Sequence, residues 1–170
     1  MHDDSARLIA CLPRLRRYAR ALLGDRAAAD DLVQDTMERG WDKLASWRRG
    51  SDMRAWLFGI MHNLHVDRLR RPALATVALD DERAPPSAEP STPHRDGLEL
   101  RDMATALQLL PAEQREVLLL VALEELSYDE VAAALNIPRG TVMSRLSRAR
   151  ERLRLLMLGR PVAAPLKVVK

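Results

Sequence analysis

The chain has 170 residues, of which 47% are hydrophobic, 30% are charged and only 4% are aromatic. This composition is typical of one ordinary or two small globular domains and argues against intrinsic disorder. Cys11 is the only cysteine, which excludes an internal disulfide and a cysteine-based zinc site. The first ten residues lack a signal-peptide core and no uncharged run approaches the length of a membrane span, so we expect a cytoplasmic protein.

Charge is unevenly distributed along the chain. The net charge of +3 divides into +4 for residues 1–72, −3 for 73–96 and +2 for 97–170. The acidic stretch contains four prolines together with serine and threonine, and it has no apolar periodicity. Such a segment buries too little surface to offset its ordering entropy. We therefore predict a flexible linker between two basic domains, 1–72 and 97–158, with a tail at 159–170.

Three helices are predicted before the linker. The first begins within the first five residues and ends before Gly24, with leucines along one stripe. The second is capped by Asp25 and runs to about Trp47. After a short loop, the third is capped by Asp52 and stopped by Pro72.

Four helices are predicted after the linker, at 98–109, 111–123, 127–135 and 141–157. Pro111 suits the first turn of the second of these helices. Ser127 and Glu130 have the S-x-x-E spacing of a capping box, which starts the third. Everything structured is thus expected to be helical. The predicted fold class is all-α, with two small helical domains joined by a flexible linker.

Residues 127–157 fit a helix-turn-helix: a short capped helix, a tight turn and a long basic helix. On the last helix, Arg145 and Arg148 lie near Thr141, off the apolar face, and Arg139 precedes the helix. Guanidinium groups on a rigid helix can bond guanine edges or phosphates in a major groove. This pattern favours DNA binding over the alternative, a solvated helix whose charges serve only solubility.

Four segments point to one family. Residues 30–36, D-D-L-V-Q-D-T, resemble the D-L-V-Q-E-T signature of bacterial sigma factors, and 52–63 resemble their R-A-W-L-x-x-I-x-x-N helix. Residues 110–117 and 140–150 resemble the second domain of the same family. The matches are co-linear over roughly residues 5–157. The chain is thus identified as a member of the small extracytoplasmic-function (ECF) type of the sigma-70 superfamily.

The resemblance implies a non-enzymatic subunit that directs RNA polymerase to promoters and helps to melt the duplex, as in a stress response. Its partners would be core RNA polymerase, promoter DNA and an anti-sigma factor, with no cofactor and no metal. The helix at 30–47 would dock on the clamp coiled coil of the largest polymerase subunit. The polymerase-binding residues predicted there are Leu32, Gln34, Asp35 and Glu38.

The −10 element would be bound by the loop at 46–53 and the helix at 56–71. Asn63 and Asp67 fall by resemblance on the DNA-facing side, and the arginines supply a basic surface for phosphates. Trp47 would either stack on an unpaired base or pack in the core, and core packing fits Trp56 better. The predicted −10 residues are Trp47, Arg48, Arg49, Arg54, Asn63, Asp67, Arg70 and Arg71.

The second domain would read the −35 element. Met143 stands where many relatives have lysine or arginine, so a contact there would be apolar or absent. The predicted −35 residues are Arg139, Thr141, Ser144, Arg145 and Arg148.

Two other functions stay open at this point. One is a sigma-like decoy that binds an anti-sigma factor, and the other is a helix-turn-helix repressor with a ligand or dimer domain at 1–72. An enzyme is not expected, because the sequence has no phosphate-binding glycine loop and no Ser/His/Asp set. His62 and His65 lack a third metal ligand, so we expect a surface pair.

Overall fold

A computed structural model describes residues 2–71 and 95–159. The predicted linker, apart from its last two residues, and the predicted tail, apart from its first, lie outside these ranges. Every regular element within them is helical, as predicted. None of the described helices combines the length and apolar character needed to cross a membrane. The helices are α1 (His2–Ala10), α2 (Leu12–Leu23), α3 (Arg26–Asp42), a 3₁₀ turn (Leu44–Ser46), α4 (Met53–Arg70), α5 (Arg95–Leu109), α6 (Ala112–Ala122), α7 (Tyr128–Leu135) and α8 (Arg139–Met157).

The first predicted helix is in fact two helices, separated at Cys11. Pro13 lies in the first turn of α2. Proline has no N–H, and its ring clashes with the carbonyl four residues earlier, so one helix cannot run unbroken through it. Leu8 and Leu15 are both fully buried, so the apolar stripe continues across the break. That continuity is why the pattern predicted a single helix.

The second predicted helix was too long. Asp25 caps α3 and Asp52 caps α4 as predicted, each accepting a backbone N–H in the first turn. However, α3 ends at Asp42, and the 3₁₀ turn Leu44–Ser46 redirects the chain. This turn brings Trp47 into the core, where only 6% of it is exposed.

Close packing of α2, α3 and α4 forms the core of the first module. The rings of Tyr18 and Phe58 meet edge to face with centroids 4.9 Å apart. Gly40 allows α3 to approach α4, because a Cβ there would lie 2.7 Å from Leu57 Cδ2. A glycine inside a helix costs up to about 1 kcal/mol relative to alanine, and the close approach offsets that cost.

The second module contains the predicted helix-turn-helix. Both hydrogen bonds of the capping box are present: Glu130 N–H donates to Ser127 Oγ at 3.2 Å, and Ser127 N–H donates to Glu130 Oε2 at 2.8 Å. Asn136 ends α7 in the left-handed conformation, with φ of 51°. One boundary differs from the prediction, because Arg139 is the first residue of α8 rather than part of the turn.

The two modules lie against each other. Helix α2 contacts α5 and α6, and α4 contacts α7. The sequence did not predict this arrangement. It determines which predicted surfaces are accessible.

Candidate nucleic-acid and polymerase interfaces

The exposed face of α8 is the one that lies opposite its buried residues. Val142, Leu146 and Ala149 are at most 2% exposed and face the core of the second module. Ser144 and Arg148 are exposed, as a DNA-contacting surface requires. These two predicted −35 residues are therefore accessible to a major groove.

The other predicted −35 residues have partners within the chain. Arg145 Nη2 lies 3.4 Å from Glu113 of α6, and only 24% of the Arg145 side chain is exposed. Arg139 forms an exposed ion pair of 3.4 Å with Asp129. Thr141 is half-buried. DNA would have to displace the carboxylates of Glu113 and Asp129 before it could bind these two arginines.

Ser147 is an exposed residue of this helix that the sequence reasoning missed, and Met143, where a contact was expected to be apolar or absent, is exposed as well. Met143 is 50% exposed, and Ser147 is exposed one turn further along α8. Both lie off the buried side of the helix, which Val142, Leu146 and Ala149 form. The signal that could have identified Ser147 is its position off the apolar stripe, whereas the prediction kept to three arginines, Thr141 and Ser144.

The two tryptophans near the −10 loop differ in accessibility. Trp47 is buried, and its indole N–H has no hydrogen-bond partner. Its ring packs in the core, and stacking on a base would require it to leave. Trp56 is half-buried and lines a groove between α4 and α7. Trp56 is thus the more accessible of the two tryptophans, although it also packs partly against the core, as expected.

The arginines around the loop differ in their exposure and in their ion-pair partners. Arg48 is exposed with no ion pair in the described part of the chain. Arg49 pairs with Asp4 at 3.2 Å. Arg54 donates to both carboxylate oxygens of its neighbour Asp52. Burial acts to raise the pKa of Asp52, but the hydrogen bonds and charge of Arg54 outweigh it, so that pKa is lowered. Arg54 therefore supports the N-terminus of α4 in this arrangement.

The C-terminal half of α4 presents the remaining predicted −10 residues. Asn63, Asp67, Arg70 and Arg71 are all exposed, which agrees with a surface that meets DNA. Asn63 also lines the groove shared with α7. Its accessibility to a large partner therefore depends on how the two modules are placed.

The predicted polymerase-binding residues lie on α3 and are not equivalent. Leu32 is fully buried and serves packing. Asp35 pairs with Arg68 of α4. Gln34 Nε2 donates to Glu38 Oε1 at 3.2 Å, and both side chains are exposed. Of the four, Gln34 and Glu38 are available to a partner.

A shallow apolar depression adjoins Glu38. It is lined by Leu8, Met37, Trp41 and Asp42 together with Glu38. Trp41 is 53% exposed, which is unusual for so large an apolar side chain. Aromatic side chains in such positions often dominate binding energies at protein interfaces.

The two histidines of α4 are not a surface pair. Both are half-buried, and His62 Nδ1 lies 2.6 Å from Glu116 Oε1 of α6. Burial lowers the pKa of His65, although the charge of Glu116 opposes the shift. No group of three metal-ligating side chains occurs among the described residues.

Both modules match known families. Residues 8–62 match the family described as the Sigma2 domain of PhyR, and residues 100–153 match Sigma-70, region 4. The chain is also 37% identical over 159 residues to the ECF RNA polymerase sigma factor EcfG of Rhodopseudomonas palustris. That alignment covers 92% of this chain and 84% of EcfG.

Two solved structures are similar over both modules. The sigma factor RpoE of Bartonella quintana, solved in complex with the anti-sigma factor NepR, has a TM-score of 0.75 and 34% identity. The match covers 93% of this chain and 98% of RpoE. CnrH, solved in complex with the cytosolic domain of CnrY, has a TM-score of 0.65 and 28% identity, with 91% and 86% covered.

Proposed function

Because this chain belongs to the ECF RNA polymerase sigma factors, we propose that it binds core RNA polymerase in the cytoplasm and directs it to specific promoters. Residues 1–72 would read the −10 element and help to melt the duplex, and residues 97–158 would read the −35 element. The chain contributes specificity, and the polymerase carries out the chemistry.

The exposed face of α8 is the observation that supports this function most directly. Six arginines lie between residues 139 and 154 against one acidic residue, Glu151. Ser144 and Arg148 are exposed on a helix whose opposite side is buried in the module. A rigid helix with small polar residues and an arginine on its outer side fits a major groove, and the neighbouring arginines favour the phosphates.

The polymerase contact is proposed on α3, where Gln34, Glu38 and Trp41 are exposed on one helix. Residues four apart face the same side of a helix, so Gln34 and Glu38 present one polar strip. Trp41 adds an apolar anchor beside it. An aromatic anchor flanked by acidic and amide groups suits a basic surface on the clamp.

An anti-sigma factor is the proposed regulatory partner. RpoE, which resembles this chain over both modules, was solved with the anti-sigma factor NepR. The described part of the chain exposes apolar side chains on both modules, including Ile9, Trp41, Leu100 and Leu109. Such side chains are what an amphipathic helix of an inhibitor would cover.

The decoy function is the second candidate, because residues 8–62 match the Sigma2 domain of PhyR. A decoy has no use for a DNA-reading helix. The exposed Arg148 and the basic helix α8 therefore favour a sigma factor. A repressor is disfavoured because the first module presents charged helix faces, whereas a ligand site is usually a concave apolar pocket.

Transcription in vitro with purified core polymerase tests the proposal. The chain should convert core polymerase, inactive alone on a library of promoter fragments, into an enzyme that initiates at a defined subset. Enriched sequences should share two elements separated by a fixed spacer. A chain that fails to bind core polymerase at micromolar concentration would refute the sigma function, and specific DNA binding without polymerase would support the repressor.

A further inference from the structure

We propose that the contact between the two modules is an autoinhibitory latch, in which Glu124 holds the helix-turn-helix over the surface of α4 that would bind the −10 element. The inference rests on the proposed function, because it assigns a consequence to covering that surface. The latch consists of residues of this chain alone.

Glu124 lies at the centre of the contact. It follows α6, and its side chain has no exposed surface. Arg17 Nη2 of α2 donates to Glu124 Oε1 at 3.0 Å, and Arg14 lies 3.8 Å from the other carboxylate oxygen. A carboxylate removed from water is costly unless it is paired, so these contacts make the closed arrangement depend on the arginines of α2.

Backbone carbonyls at helix ends in each module accept hydrogen bonds from side chains of the other module. Gln108 and Arg115 donate to the carbonyls of Ala21 and Leu22, near the end of α2, at 2.9 and 2.8 Å. In the opposite direction, Arg17 donates to the carbonyl of Leu123, at the end of α6, at 2.9 Å. The last carbonyls of a helix have no partner within it, so this exchange gives them one.

A second cluster of contacts places α7 on α4. A Cβ on Gly59 would lie 3.4 Å from the carbonyl oxygen of Ala134 and 3.5 Å from its Cα, so the helices nearly touch there. Trp56 and Asn63 line the groove beside this contact, with Asn136 on the opposite side. Asn63 is one of the residues expected to meet −10 DNA. Helix α7 therefore occupies space that a DNA strand would need.

The described contact is mixed: the buried apolar core is continuous through both modules, and ion pairs and side-chain hydrogen bonds also cross it. Charged and amide groups that leave the interface, such as Arg17 and Glu124, are hydrated when exposed. Arg17 already has half of its side chain in solvent. Polymerase or promoter DNA would favour the open form in proportion to its preference for that form. An anti-sigma factor that spans both modules would reinforce the closed one.

Charge reversal of Arg17 tests the latch, with a matched control on the same helix. Arg17→Glu puts a second carboxylate against Glu124. Arg16→Glu makes the same change in net charge one residue earlier, where the side chain is exposed and has no ion pair in the described part of the chain. Small-angle X-ray scattering on the full chain should give a larger radius of gyration for Arg17→Glu than for wild type and Arg16→Glu.

The second readout is binding of a fluorescein-labelled single strand carrying the −10 element of a promoter selected with the wild-type holoenzyme. If the latch covers the −10 surface, Arg17→Glu should bind this strand at least about fivefold more tightly than Arg16→Glu, the lower range of typical coupling between sites. The double variant Arg17→Glu/Glu124→Arg restores an opposite pair and should recover part of the compaction.

A second variant tests the contact between α4 and α7 without changing the ion pair of Arg17 and Glu124. Gly59→Leu inserts a side chain where the carbonyl of Ala134 lies, while leucine is a better helix former than glycine. It should enlarge the radius of gyration and keep the helical circular dichroism. Unchanged compaction of both Arg17→Glu and Gly59→Leu would overturn the latch, as would opening without tighter strand binding.

Failure of the proposed function would be seen separately. In that case the wild-type chain would not support promoter-directed transcription with core polymerase, and no promoter strand would be selected. The scattering comparison would still decide whether Arg17 holds the modules together. A compact Arg17→Glu together with a compact Gly59→Leu would then refute the latch itself.

Discussion

His62 Nδ1 lies 2.6 Å from Glu116 Oε1 and joins α4 of the first module to α6 of the second. The two residues are 54 positions apart in the chain. Glu116 is only 6% exposed, so its carboxylate depends on this partner much as Glu124 depends on Arg17. The contact between the modules thus brings ionisable groups of both modules together.

The first prediction concerns His65, one turn from His62. Burial lowers the pKa of His65, while Glu116 acts to raise it and His62, Arg68 and Arg115 act to lower it. The unfolded chain therefore takes up this proton before the folded one as pH falls. The free energy of unfolding is therefore unaffected by His65 above the unfolded pKa of about 6.5. It decreases as the pH falls below that value, by at most about 1.4 kcal/mol per pH unit.

Urea denaturation at pH 7.5 and at pH 5.5 measures this effect. The free energy of unfolding of the wild-type chain should be lower at pH 5.5, and His65→Gln should show a smaller difference between the two values. Circular dichroism at pH 7.5 verifies that the variant folds. An identical pH dependence in both chains would contradict the assignment to His65.

The second prediction separates two arginines of α8. Arg148 is exposed, whereas Arg145 is half-buried and paired with Glu113 at 3.4 Å. Arg148→Ala should therefore weaken binding to a −35 duplex by about 1–3 kcal/mol. Arg145→Ala should cost less in binding, because free Arg145 already has a partner in the chain. The measurement is fluorescence anisotropy with a selected −35 duplex at fixed salt. The reverse order would show that Arg145 leaves Glu113 to read DNA.

Helix positions in both modules could be predicted because local signals determine them. Asp25 and Asp52 each precede a helix and accept a backbone N–H, and Ser127 and Glu130 complete a capping box. The break at Cys11 was missed, because the apolar stripe runs across it and periodicity alone does not register the missing N–H of a proline.

The contact between the modules could not be predicted for a different reason. Arg17 and Glu124 are 107 positions apart, and neither lies in an apolar pattern. Charged residues are usually solvated, so a sequence gives no sign that Glu124 is fully buried. The accessibility of Asn63 and Arg145 depends on such distant partners. Sequence reasoning could therefore propose the surfaces, but it could not show which of their residues are accessible.

The third prediction compares two glycines. A Cβ at Gly40 would lie 2.7 Å from Leu57 Cδ2, whereas nothing lies within 4 Å of a Cβ at Gly140. Gly40→Ala should destabilise the chain by about 1–3 kcal/mol, because Leu57 is fully buried and must shift. Gly140→Ala should stabilise α8 by up to about 1 kcal/mol through helix propensity. Urea denaturation of both variants checks the opposite signs, and equal effects would argue against close packing at Gly40.

The last prediction concerns the polymerase-binding face of α3. Reversing Asp35 would leave Arg68 beside a like charge, so its effect would mix folding with binding. Glu38 is a better probe, because its side chain is exposed and its hydrogen-bond partner is the neutral Gln34. We expect Glu38→Lys to lower the affinity for core polymerase by about 1–3 kcal/mol, through loss of a favourable charge and gain of a repulsive one at a basic surface.

Trp41→Ala extends the test to the apolar anchor beside Glu38. The ring is 53% exposed, so its removal should change the melting temperature little, yet as an interface anchor it should cost about 2 kcal/mol or more in binding. Asp102→Lys is the control for Glu38→Lys, since it makes the same charge change at an exposed site on α5 with no ion pair in the described residues. Binding of labelled core polymerase to each purified chain gives the affinities. If Glu38→Lys and Trp41→Ala both bind like the control, the polymerase does not dock on this face.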